Sequence, residues 1–384
     1  MNNFEFLTPN SERFEASVSE MSDALVGSDV DFYSEDLKIE DYDFAIIAIH
    51  EVRGQENSDA CINFESVKYE FYKLFRGNWK SSIIDFGHIK PGEELSDTYF
   101  AVKELLNFVL SKKVIPLVLG GSQDLCYSQY RAYDGNKYMI NISNIDFKFD
   151  LGDSNQRMNH ESYLSHMIVN QPYNLFNYSN IGYQTYLNSQ EEITLLEKMF
   201  FEAYRLGEII SDVRKAEPVL RDADMVTLDV RSIETRYLGE SGLHVNGFSS
   251  REICALARYA GISDKVSSFG LYELQNLNSP ESHKLMAQIL WYFVEGYQYR
   301  LNENASVKNP DFIKYQVPIE NEILVFYESK LSGRWWIEIP SNLNNANNKL
   351  KQHSLLPCDK ENYLLACDQE LPQRWIKAKQ KNEF

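Results

Sequence analysis

The chain has 384 residues, 43% of them hydrophobic, and a formal net charge of -18. That length and apolar content fit one large α/β domain with an appendage, or two domains, and exclude wholesale disorder. The acidic balance excludes nucleic acid and an anionic membrane as default partners, because both call for a basic face.

Residues 1–40 are acidic and weakly patterned, and read as a surface extension with one short helix. Residues 43–50 are short, continuously apolar and rich in isoleucine, which predicts a buried strand. Further strands are predicted over 81–86, 114–119, 137–145, 180–183, 225–228 and 267–272. Between them, apolar residues at helical spacing predict helices over 97–112, with Ser96 as cap, and over 205–221. A third helix is predicted over 249–260, where Ser249 and Glu252 form a capping box, and a long one over 281–299. Strands alternating with helices imply a parallel sheet covered on both faces, with ligands bound at the carboxyl ends of its strands. After residue 300 the pattern changes. Segments 322–329 and 334–340 flank Lys330-Leu331-Ser332-Gly333, a hairpin signal, and an asparagine-rich loop (342–348) and a mildly basic tail (372–384) follow. The division is therefore 1–40, 41–300 and 301–384.

The cysteines Cys61, Cys126, Cys254, Cys358 and Cys367 are scattered and form no CxxC pair. They read as reduced thiols of a cytoplasmic protein. No basic segment followed by an apolar run opens the chain, and no apolar stretch nears the roughly 20 residues of a membrane span. Neither a signal peptide nor membrane insertion is expected.

Three polar segments directly follow predicted strands: Gly120-Gly121-Ser122-Gln123-Asp124, Asp146-Phe147-Lys148-Phe149-Asp150 and Asp229-Val230-Arg231-Ser232-Ile233-Glu234. Alternation along extended chain puts Asp146, Lys148 and Asp150 on one side, and Asp229 with Arg231. Such charge patterns also occur on solvated surfaces. On the pattern alone they read as surface charges; if the fold brings these strand ends together, three carboxylates and two cations share one crevice.

The ordered set resembles the arginase, agmatinase and formimidoylglutamase superfamily, whose GG-x-H, D-x-H-x-D and D-x-D segments supply two histidines and four aspartates to two Mn²⁺ ions. Residues 268–275 resemble the family strand that ends in a substrate-binding glutamate, here Glu273, and residues 242–252 its glycine-containing loop. The resemblance spans roughly residues 41–300. It implies a three-layer α/β/α fold on a mostly parallel, eight-stranded sheet, with the C-terminal segment as an extension.

The departures carry the functional reading. Gln123 stands at the GG-x-H histidine, Lys148 at the central histidine of D-x-H-x-D, and Arg231 at the second aspartate of D-x-D. Asp146, Asp150 and Asp229 match. Lysine and arginine are protonated donors and poor metal ligands. Two tethered cations among three carboxylates would make a salt cluster that needs no metal. The expectation is a pseudoenzyme without cofactor, acting through a protein partner or self-association. The alternative is a C–N hydrolase resembling formimidoylglutamase, with one metal on Asp146, Asp150 and Asp229. His160 and His166 follow the second motif, and a lone histidine there is more often an ordinary polar residue. Of the 24 tyrosines and 22 phenylalanines most belong to the core, and an exposed share would suit an interface. The adjacent Trp335 and Trp336 must point to opposite faces of their strand, so either both sides are covered or one marks an interface.

Overall fold

The computed structural model describes residues 4–55, 62–239, 245–303, 305–307, 309–320, 322–340 and 355–383. The strands of the main sheet are β1 (Leu7–Thr8), β2 (Val30–Phe32), β3 (Phe44–Ile49), β4 (Ile83–Ile89), β5 (Ile115–Gly120), β6 (Ile140–Ile145), β7 (Leu175–Tyr183), β8 (Glu202–Arg205), β9 (Met225–Asp229) and β10 (Ser268–Tyr272). They lie in the order β1-β4-β3-β5-β10-β9-β6-β7-β8, and β2 also pairs with β4. Only β1 runs antiparallel to its neighbour. The eight strands from β3 to β10 are the expected parallel sheet. β1 and β2, from the N-terminal segment, lengthen its edge.

Period-two alternation explains the three layers. In β3, Phe44, Ile46 and Ala48 join one hydrophobic cluster, while Ala45, Ile47 and Ile49 join the other. Helices Ser250–Ile262 and Pro280–Tyr297 bury Leu256, Ala260, Leu290 and Phe293 in the first cluster. Helix Leu95–Ser111 buries Val102, Leu105, Leu106 and Val109 in the second. The two long helices of the first layer meet at Gly261, where a Cβ would fall 2.1 Å from the Phe293 carbonyl oxygen, so only glycine permits that approach.

Several element boundaries move for local reasons. The helix expected from residue 97 starts at Leu95, and Asp97 accepts from the Glu94 amide at 2.8 Å, so Ser96 is not its cap. The 249–260 helix keeps its predicted capping box, with Ser249 accepting from the Glu252 amide and Glu252 from the Ser249 amide. The stretch 205–221 is broken at Asp212, whose side chain accepts from the Arg214 amide and starts a new turn.

The predicted hairpin belongs to a second, four-stranded antiparallel sheet of β11 (Phe312–Ile319), β12 (Glu322–Ser329), β13 (Trp335–Glu338) and β14 (Leu355–Cys358). Trp335 and Trp336 are each 5% exposed. Trp335 stacks on Tyr315 and Tyr363, while Trp336 meets Phe312 and lies under the Arg221 guanidinium at 4.4 Å. Both sides of β13 are therefore covered, one by the extension itself and one with help from the main domain. The C-terminal helix Gln373–Glu383 runs beside edge strand β8, where Arg374 Nε donates to Glu202 at 2.8 Å and Lys377 Nζ to the Phe201 carbonyl at 2.7 Å. The asparagine-rich loop and Cys61 lie outside the described residues, and Cys126, Cys254, Cys358 and Cys367 are free thiols. No helix among the described residues is long and apolar enough to cross a membrane.

Candidate functional site

The strands that carry the polar segments are immediate neighbours, in the order β5-β10-β9-β6. Their carboxyl ends therefore converge, and Gln123, Asp146, Asp229 (each 0% exposed), Glu273 (1%) and Asp150 (4%) are buried together there. The first turn after β5 fits only because residue 121 is glycine: a Cβ would lie 2.1 Å from the Glu51 carbonyl oxygen. Glu273 and Asp150 both hold left-handed backbone conformations, with φ of 67° and 55°. Such strained backbone concentrates at functional sites.

Arg231 enters this centre as the sequence predicts. Its Nη2 stands 2.7 Å from Asp229 Oδ2, and its Nε donates to the same oxygen at 2.9 Å. Nε also lies 3.5 Å from Glu273 Oε2, and the guanidinium covers the Phe147 ring at 5.4 Å. Nη2 reaches Gln123 Oε1 at 3.4 Å, and Nη1 lies 3.3 Å from His160 Nδ1.

Gln123 links the two halves of the centre. Its backbone amide donates to Glu273 Oε1 at 2.8 Å, and its side-chain amide donates to Asp146 and to the Tyr163 hydroxyl. Asn144 Nδ2 donates to Asp146 Oδ2 at 2.9 Å and to the hydroxyls of Tyr163 and Tyr178. Gln55 and Gln275 donate their amides to Glu273 Oε2. Asn144, Tyr163, Tyr178, Gln55 and Gln275 were missing from the sequence-based set. Asn144 and Gln275 had a local signal, since each sits two residues from a carboxylate of the set, Asp146 and Glu273.

Lys148 departs from the expectation. Its side chain turns outward, where Nζ pairs with Glu161 Oε1 at 2.6 Å, and the pair is 31% and 54% exposed. Strand β6 ends at Ile145, so the alternation that would aim Lys148 beside Asp146 and Asp150 no longer applies. Only its backbone amide reaches the centre, donating to Asp146 Oδ1 at 3.0 Å. The buried centre thus holds four carboxylates and one guanidinium rather than three carboxylates and two cations. Both Asp150 oxygens lack a hydrogen-bond partner.

Burial and crowding among these acids favour their protonated forms. Asp146 is pushed up to about 7 by burial and then by the charge of Asp229. Glu273 is pushed up to about 8, chiefly by burial, with Arg231 opposing. Asp150 is raised by burial and by Asp146. His160 is lowered to about 4 by burial and by Arg231, so its ring is neutral at physiological pH. A crevice of about 650 Å³ opens above the centre, lined by Arg53, Gln55, Arg157, His160, Glu161 and Arg231 among others. His166 stands away from it, on helix Tyr163–Val169, with Nδ1 3.5 Å from Asn170 Nδ2. Among the described residues, no group of three or more histidine, cysteine, aspartate or glutamate side chains is arranged to hold a metal ion.

The model of the arginase family matches residues 49–295. Among solved structures, the chain is similar to a formiminoglutamase of Trypanosoma cruzi solved with Mn²⁺, at 18% identity and a TM-score of 0.60, over 69% of this chain and 97% of that one. It is also similar to the formimidoylglutamase of Bacillus subtilis, at 14% identity and a TM-score of 0.61, over 71% and 91%. The arginase of Bacillus subtilis aligns at 17% identity and a TM-score of 0.57, over 65% and 98%. Identities this low speak for the fold alone. No curated protein matches the sequence.

Proposed function

The chain belongs to the arginase family, and we propose that its two-manganese centre has been rebuilt as a metal-free carboxylate–guanidinium cluster in a non-catalytic binding or scaffold protein. The observation that carries this reading is the clamp of Arg231 on Asp229 and Glu273. A metal needs lone pairs directed at it. Here the groups facing the carboxylates are donors: the Arg231 guanidinium on Asp229 and the amides of Gln123 and Asn144 on Asp146. The donor set does not fit a binuclear site, so no hydrolytic step is derived through one.

One observation favours a second reading. Asp150 is buried with both oxygens unpartnered, and such an orphan fits a single cation shared with Asp146 and Asp229 in a metal-dependent C–N hydrolase. Protonation of Asp150 satisfies the same electrostatics without metal, and Asp229 is already engaged by Arg231. The test is turnover. The purified protein with added Mn²⁺ is expected to release no urea, ammonia or formamide from arginine, agmatine or formiminoglutamate. Metal-dependent release that disappears in Asp229→Asn would establish the second reading.

A further inference from the structure

We propose that the junction between the main domain and the C-terminal extension is a binding site for a small organic oxyanion, centred on Arg221. This residue ends helix Glu217–Arg221, which leads into the amino end of β9, so the junction lies at the opposite end of the sheet from the buried acids. A cavity of about 360 Å³ opens there, lined by Arg221 together with Trp335 and Cys358 of the extension. Arg221 is 6% exposed, and its guanidinium lies 4.4 Å from the centre of the Trp336 ring. Nη2 donates to the carbonyls of Cys358 at 2.9 Å and Trp335 at 3.2 Å, and Nε stands 3.0 Å from Glu217 Oε1. Nη1 is buried and has no hydrogen-bond partner among the described residues. A buried charged donor without an acceptor is costly, and such a group beside a cavity marks a place for a ligand that accepts.

The surroundings call for an anion. Arg334, immediately before β13, lines the same cavity, and the one carboxylate of Glu217 serves both arginines, 3.0 Å from Arg221 Nε and 3.4 Å from Arg334 Nε. Arg334 also faces Glu303 at 3.6 Å, and Arg214, the third arginine of the wall, pairs with Asp212. Asp359 on the same wall is engaged in capping helix Lys360–Cys367, accepting from the Asn362 amide at 2.8 Å. Burial disfavours the charge on Arg221, Glu217 opposes this, and Arg334 and Arg374 add repulsion. An oxyanion that reaches Nη1 and Arg334 meets the open donor and relieves the repulsion. Tyr259, Ile262 and Trp335 supply an apolar side to the cavity, so the ligand carries a ring or chain behind its charged head. Arg221 belongs to the main domain and Arg334 to the extension, so docking of the two completes the site. It is separate from the strand-end centre, and its failure would leave the reading of that centre untouched.

The test is calorimetric titration of the full chain with phenyl phosphate, benzoate and phenol. At least one of the two anions is expected to bind once per chain with a dissociation constant below about 1 mM. The anion that binds identifies the head group, a phosphate ester or a carboxylate. Uncharged phenol is expected not to bind. Arg334→Gln should weaken binding about tenfold, and Arg221→Met should abolish it. Arg157→Gln, in the strand-end crevice, should leave it unchanged, which separates the two places where arginines line a cavity. If Arg221→Met does not fold, the wild type, Arg334→Gln and Arg157→Gln decide. No saturable binding of either anion by the wild type up to about 10 mM overturns the proposal. So does phenol binding as tightly as the anions, or binding that survives in a folded Arg334→Gln and is lost in Arg157→Gln.

Discussion

Arg231 turns back onto Asp229, two residues earlier, so that its backbone amide and its guanidinium Nη2 each lie 2.7 Å from that carboxylate. One residue thus supplies both the turn that ends β9 and the counter-charge for the acid it presents. Losing the side chain leaves Asp229 and Glu273 buried without it. Arg231→Met is therefore expected to lower stability by about 3–5 kcal/mol, the usual cost of stranding one partner of a buried pair. Urea unfolding at neutral pH measures this, and an unchanged midpoint would mean that solvent reaches both carboxylates.

Stability should fall as pH rises. Asp146 and Glu273 move from ordinary values of 3.8 and 4.5 to about 7 and about 8 in the folded protein. The folded state then holds more protons than the unfolded one, so their contribution is full below about 4 and is lost as pH climbs through 7 and 8. Asp150→Asn removes a raised acid that has no hydrogen bond to lose, and is expected to flatten this fall. Unfolding midpoints across pH 5–9 check both statements, and a stability that rises over that range contradicts them.

Lys148 should matter little. Its pair with Glu161 is solvated, and exposed pairs contribute less than about 1 kcal/mol. Lys148→Met is expected to leave the unfolding midpoint nearly unchanged. A loss comparable with that of Arg231→Met would put the lysine inside the cluster after all.

The C-terminal extension should be inseparable from the domain. Arg374 holds Glu202, which is 6% exposed on edge strand β8, and Arg221 donates to the carbonyls of Trp335 and Cys358 across the same junction. Arg374→Met is expected to cost about 3 kcal/mol, and truncation after residue 300 to give aggregation. A soluble, cooperatively unfolding truncated chain would show that the extension is an independent arm.

Much of this centre could be read from the sequence. Asp146, Asp229, Glu273 and Arg231 follow strands predicted over 137–145, 225–228 and 267–272, and strand ends in a parallel sheet converge. Lys148 was misplaced because alternation was carried past the point where β6 stops. The partners Gln55 and Tyr163 had no local signal, because only the tertiary fold brings residues so distant in sequence to Glu273 and Gln123. Strands β1 and β2 were missed because a two- or three-residue strand has too little pattern to be seen.

A tethered guanidinium standing where the family holds metal leaves manganese without a seat, and elemental analysis of the protein purified from manganese-supplemented cells measures this. Well under one Mn²⁺ per chain is expected. About two per chain, retained through dialysis, would contradict it.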